Sequence, residues 1–193
     1  MSVNTWTPTV LASEFVVWEG SGWRAVEAQH RVATMGLVHG NLAAQATLED
    51  ILEEAKPVLP PEVHGLHWLL ATPFRYWPLP GGSRFRRRED PGVFYGAEER
   101  ETACAEAGYW RLRFWNESEF LNRQTKSISV TLFEFHAASQ SALDLTRFPL
   151  AKDRALWVLP NDYTATQLLA NNARQANAEV IRVVADALEY YLV

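Results

Sequence analysis

The chain has 193 residues and 23 Asp plus Glu against 18 Lys plus Arg, a net charge of −5 with His neutral. That charge argues against a general nucleic-acid binder, and a 48% hydrophobic, 12% aromatic composition argues against disorder. Cys104 is the single cysteine, which excludes an intrachain disulfide framework and any zinc site needing two thiolates. No apolar run approaches the ~18 residues that cross a bilayer, and the N-terminus has no basic segment leading into an apolar one. The expectation is a soluble cytoplasmic protein folded as one domain over 1–193.

Charge type is uneven. The chain uses 15 Arg and 3 Lys, and residues 74–113 hold eight arginines. An arginine-rich centre suits an anionic ligand, because guanidinium forks bind phosphate in a bidentate way. Arginine-favouring codon usage would give the same count.

In chain order, Trp23 to Leu37 has the apolar spacing of a moderately amphipathic helix. Asn41 then suits the N-cap of a second helix, Leu42 to Ala55, with Leu48, Ile51 and Leu52 on one face. Pro57, Pro60 and Pro61 end it. A helical segment of about 22–56 therefore precedes a core of about 65–193. From Gly65 the sequence turns aromatic and β-like, with His64 and His67 in extended chain. Val93 to Tyr95 reads as a short strand and Glu98 to Phe114 as a helix. Ser127 to Phe135 has the period-two alternation of a strand, and Leu143 to Leu145 reads as another. Asn161 and Asp162 cap a helix over Tyr163 to Gln175, and Glu179 to Val184 reads as a late strand. Helices followed by strands with single helices between them predict an α+β fold.

Several motifs are absent: the dinucleotide and triphosphate glycine loops, the serine-hydrolase elbow and the HExxH zinc helix. The five histidines do not form a convincing ligand set, so no metal is expected. The informative stretch is 74–110. It contains Arg75 beside Tyr76, a glycine turn delivering Arg84, Tyr95 near the end of a strand, and Glu106 on a helix. Glu106 has Thr102, Ala103, Tyr109 and Trp110 at helical spacing. A carboxylate on such a small and aromatic face is either paired, with Arg75 or Arg84, or used in chemistry. The run Arg86 to Arg88, followed by Glu89 and Asp90, reads as a solvated basic loop.

These stretches, WRAVEAQHRVATMGLV, HWLLATPFRYWPLPGGSRFRR and PGVFYGAEERETACAEAGYWRLRF, resemble the RES-domain family. The similarity continues through LDLTRFPLAKDRALWVLPNDYTATQLLANNARQANAEVIR, and Arg84, Tyr95 and Glu106 follow one another at intervals of 11. The resemblance implies an ADP-ribosyltransferase-like split β-sheet core. It also implies an NAD⁺-consuming toxin of a toxin–antitoxin module, with a protein, water or phosphate as acceptor. Its implied partner is an antitoxin, with a helix-turn-helix domain, that covers the active site. On this basis Glu106 and Arg84 are the catalytic candidates, and Arg75, Tyr76, Arg84 and Tyr95 would hold NAD⁺. The family serine falls near Ala185 here, with Ser127 and Ser129 as other hydroxyls. A second reading, a catalytically weak homologue acting mainly by binding a protein, rests on that alanine and on the short C-terminal tail after Arg182.

Overall fold

The computed structural model describes residues 5–28, 37–78, 80–117, 129–183 and 190–192. Helix α1 (Pro8–Ser13) starts on Thr7, whose hydroxyl accepts from Val10 N, with Pro8 in the first turn, where its missing N–H costs nothing. Strand β1 (Val16–Glu27) follows. The helix expected from Trp23 is thus not formed at its start, and the rest of that expected helix, 29–36, lies outside the described residues. The strand wins because β3 (Val130–Asp144) pairs with it antiparallel along nearly its whole length, Trp23 against Glu134 and Arg24 against Phe133. Backbone pairing and burial override weak helical spacing.

Helix α2 (Leu42–Glu54) forms where Asn41 predicts it, and the Asn41 side chain accepts from Ala43 N and Ala44 N. Its Ile51 and Leu52 are nonetheless exposed. The aromatic stretch after Gly65 is not all extended. Helix α3 (Trp68–Arg75) is capped by His67, whose Nδ1 accepts from Leu69 N, and it runs through Pro73. Strand β2 (Phe94–Gly96) and helix α4 (Arg100–Asn116) lie close to their expected places. The fragment Leu143–Leu145 is mostly the end of β3 rather than a separate strand. A short α5 (Arg154–Trp157), α6 (Thr164–Gln175), β4 (Val180–Arg182) and β5 (Tyr190–Leu192) complete the order, with Asp162 Oδ1 accepting from Thr164 N at the start of α6.

The five strands form one mixed sheet in the order β1-β3-β4-β5-β2, with β3 and β4 parallel, and the fold is α+β. Beyond β2, Ala97 and Trp23 exchange two backbone hydrogen bonds of 2.6 and 2.9 Å. The last strand in the order therefore returns to the first. Inside this curl Phe135 lies against Gly22 and Gly96, where any Cβ would collide with its ring, and meets Phe94 edge-on at 4.9 Å. The main core lies between the end of β3, β4, α1, α5 and α6. Trp6, Leu11, Phe85, Leu143, Trp157, Leu169 and Ile181 are buried there. Trp6 Nε1 is satisfied by Asp153 Oδ2 at 2.7 Å, and Asn172 Nδ2 donates to Trp6 O at 2.8 Å, so the wall that carries α6 is fixed.

Candidate active site

A cavity of about 400 Å³ opens between β1, Pro78 and the turn 82–86, β2 and α4. This is within the range of small-molecule sites. Arg24, Arg84, Arg86, Tyr95 and Glu106 all line it. Glu106 is the sole carboxylate among the lining residues, so three guanidiniums face one negative charge.

Glu106 arrives on α4 one turn beyond the buried Ala103, with Ala107 and Trp110 as lining neighbours. Helix α4 is fixed against β1 by Arg111, whose two terminal nitrogens grip both oxygens of Glu27 at 3.2 and 2.8 Å. The inward stripe expected around Glu106 is therefore real on its alanine side. Tyr109 and Trp110 stay largely exposed at the rim.

The loop that delivers Arg84 is built to a shape. Gly82 has φ +70°, and a Cβ there would strike the backbone carbonyl of Arg86. Ser83 and Arg86 exchange backbone hydrogen bonds of 2.7 and 3.1 Å, and Gln167 of α6 donates to Ser83 O at 3.0 Å. Phe85 is fully buried as the plug of the turn, and Arg174 Nη2 donates to its carbonyl at 2.7 Å. Between these anchors, Arg84 Nη1 donates to the carbonyls of Trp157 and Leu159 at 3.0 and 2.7 Å, and its guanidinium stacks over Tyr163 at 4.9 Å. Tyr95 reaches the same loop through its hydroxyl, which is hydrogen-bonded to Ser83 Oγ.

Two arginines to which the sequence gives no site role complete the site. Arg24 projects from β1, stacks over Phe94 at 4.8 Å and donates from Nη1 to Tyr95 O at 2.5 Å. Its Nε is buried and has no hydrogen-bond partner among the described residues. Burial pushes its pKa down, opposed by the facing charge of Glu106 and by Tyr95. A buried donor left unsatisfied beside a carboxylate and two further arginines fits an anionic ligand that supplies acceptor oxygens. Arg86 is not part of a solvated run. It is buried, with Nη1 donating to Tyr76 O at 3.0 Å and Nε to Asp90 O at 3.2 Å. Burial lowers its pKa as well. The run of three arginines is not a surface loop because Phe85 pins the chain inward, so Arg86 is buried, Arg87 half-buried and only Arg88 exposed.

The structure does not bring Arg75 or Tyr76 to this cavity. Arg75 ends α3, pairs with Glu53 of α2 at 2.6 Å and donates from Nε to Pro57 O. Glu53, not Glu106, is its carboxylate partner. Tyr76 lines two neighbouring clefts instead. The helical apolar spacing that starts at Trp23 hides the strand that carries Arg24. The usable signal was the glycine spacing Gly20 and Gly22 just before Trp23, which is poor in a helix and natural where a strand passes close to a ring. Ala185 and Ser127 lie outside the described residues, and Ser129 lies just before β3, away from the cavity lining. Among the described residues no group of three or more His, Cys, Asp or Glu could hold a metal, and no helix is long and apolar enough to cross a membrane.

The model of the RES domain matches residues 59–185, about two thirds of the chain. The protein belongs to the RES-domain family, a family linked to NAD use and to toxin–antitoxin modules. The match begins after β1, so Arg24 lies outside it although the fold brings it beside Glu106. No curated protein matches the chain.

Proposed function

We propose that the protein is an NAD⁺-cleaving enzyme of the ADP-ribosyltransferase type, acting in the cytoplasm as the toxin of a toxin–antitoxin pair. The observation that carries this reading is the meeting of Glu106 with Arg24, Arg84 and Arg86 in one cavity. NAD⁺ carries a dianionic pyrophosphate and a cationic nicotinamide ring. The cavity answers both, with guanidiniums for the first and a carboxylate for the positive charge as it passes from the ring to the ribose.

In this reaction the bond between ribose C1′ and the nicotinamide nitrogen breaks, and its electron pair leaves with the ring, which becomes neutral. Positive charge passes to the ribose as an oxocarbenium-like state. Glu106 stabilises that cation and accepts a hydrogen bond from a ribose hydroxyl. Arg24, Arg84 and Arg86 hold the pyrophosphate, so the leaving ring is free to depart while the ribose stays. Tyr95 supplies an aromatic wall for the nicotinamide. The acceptor's nucleophilic oxygen or nitrogen then bonds to C1′ and loses its proton. The acceptor is a host protein, water or phosphate. Free turnover of NAD⁺ would harm the cell that makes the protein, so an antitoxin with a helix-turn-helix domain covers the site until it is released.

Mass spectrometry of NAD⁺ incubated with the purified chain, with and without cell extract, tests this. Release of nicotinamide with ADP-ribose or an ADP-ribosyl adduct is the expected result. Intact NAD⁺ in both conditions refutes it.

A further inference from the structure

Arg24 and Arg86 both line a second cavity besides the one that holds Glu106. Across them from Glu106 lies a second cleft of about 290 Å³, walled by Trp68, Thr72, Tyr76, Trp77 and Glu27. Resting on the reading of NAD⁺ as substrate, the geometry points to this cleft as the seat of the adenosine half of the dinucleotide. The pyrophosphate then lies along Arg24 and Arg86, between the two cavities.

The match is one of parts in sequence. A dinucleotide is two nucleosides joined by a dianion, and the protein offers two cavities that share two guanidiniums. The reacting ribose belongs beside Glu106, the carboxylate of the first cavity. In the second cleft Glu27 is already gripped by Arg111, so its charge is committed. What the second cleft offers is aromatic surface: Trp77 is 69% exposed, Trp68 54% and Tyr76 40%. Side chains of this size left in solvent around a concave wall suit the face of a purine. Trp68 and Thr72 are one turn apart on α3, and the Thr72 hydroxyl donates to Trp68 O at 2.7 Å, which leaves its oxygen free to accept from an amino or hydroxyl group. The buried, unpartnered Nε of Arg24 belongs to a residue of the shared wall, where a phosphate oxygen would satisfy it.

The test uses Trp77→Ala and Trp68→Ala, both exposed positions, with thermal melts to confirm that the variants fold like the parent. Calorimetry with ADP should show binding weakened about tenfold in each, the scale of one lost base–aromatic stack. The KM for NAD⁺ should rise in step with kcat unchanged, and cleavage of nicotinamide mononucleotide, which lacks the adenosine, should not change. Unaltered ADP affinity in folded variants, or no ADP binding by the parent, overturns the assignment. Variants that keep ADP affinity but lose transfer to protein would make the cleft an acceptor site, which also overturns it. Binding of ADP that depends on Trp77 without NAD⁺ cleavage upholds the cleft and sinks the enzyme reading. Cleavage with both variants indistinguishable from the parent does the reverse.

Discussion

Arg24 donates from Nη1 to the backbone carbonyl of Tyr95 at 2.5 Å, so a side chain of the proposed substrate pocket also joins β1 to β2. Its removal should therefore act on both binding and folding. Arg24→Ala is expected to lower stability by about 1–3 kcal/mol, as expected for a buried hydrogen bond to a charged group. Arg24→Lys keeps the charge and loses the fork, so it should weaken NAD⁺ binding with a smaller loss in melting temperature. Calorimetry beside thermal unfolding checks both, and wild-type affinity in Arg24→Lys would show that the fork does not touch the ligand.

Glu106→Gln should leave the fold intact and nearly abolish NAD⁺ loss. The amide keeps the shape and removes the charge that opposes the developing cation. A fall in kcat of about 10²–10³-fold is the scale of one preorganised electrostatic contact. KM should change much less. Turnover equal to the parent's would remove Glu106 from the chemistry.

Arg84 and Arg75 should part company. Arg84→Lys loses planar stacking on Tyr163 and donation to two carbonyls, so both NAD⁺ affinity and melting temperature should fall. Arg75→Ala breaks a pair with the exposed Glu53 outside the Glu106 cavity, and NAD⁺ turnover should be unchanged. Steady-state kinetics on the two variants side by side decides it. Equal losses would mean that Arg75 reaches the ligand after all.

Gly96→Ala should be destabilising by about 1–3 kcal/mol, because the added methyl group meets the Phe135 ring in a filled space. Phe135→Leu in the same chain should recover part of that loss. Melting curves of the single and double variants measure the coupling, and purely additive effects would contradict the contact.

Expression of the chain alone should slow growth, and co-expression of the protein encoded beside it should restore growth. Glu106→Gln expressed alone should be harmless. Equal toxicity of that variant would detach the growth effect from NAD⁺ cleavage.

Much of the site was legible in the sequence for local reasons. Arg84 follows a glycine turn that the loop needs, Tyr95 sits in a strand between Phe94 and Gly96, and Glu106 stands one turn from the buried Ala103. All three line one cavity. The errors came from tertiary causes. Arg24 and its strand depend on pairing with β3, more than 100 residues away, which no local window contains. Arg86 looked like one of three surface charges, but Asp90 O and Tyr76 O receive its donors in the interior. Arg75 and Tyr76 precede the cavity-lining loop by only a few residues in sequence, yet Arg75 pairs with α2 and Tyr76 lines neighbouring clefts. Pro73 and the surrounding aromatics disguised that helix, while His67 capped it from outside the usual capping set.

The strand order carries a consequence for when the pocket comes into being. β2, which bears Tyr95, is held in the sheet by β5 on one side and by the two hydrogen bonds between Ala97 and Trp23 on the other. β4 in turn needs β3, so the links run from residue 16 to residue 192 before the curl is joined. Contacts this distant along a polypeptide form slowly and form last. On a translating ribosome, Arg24, Arg84 and Glu106 all emerge well before the strands that bring them together. The β2 wall of the pocket is held on both sides only once residues 190–192 have been released to pair with it.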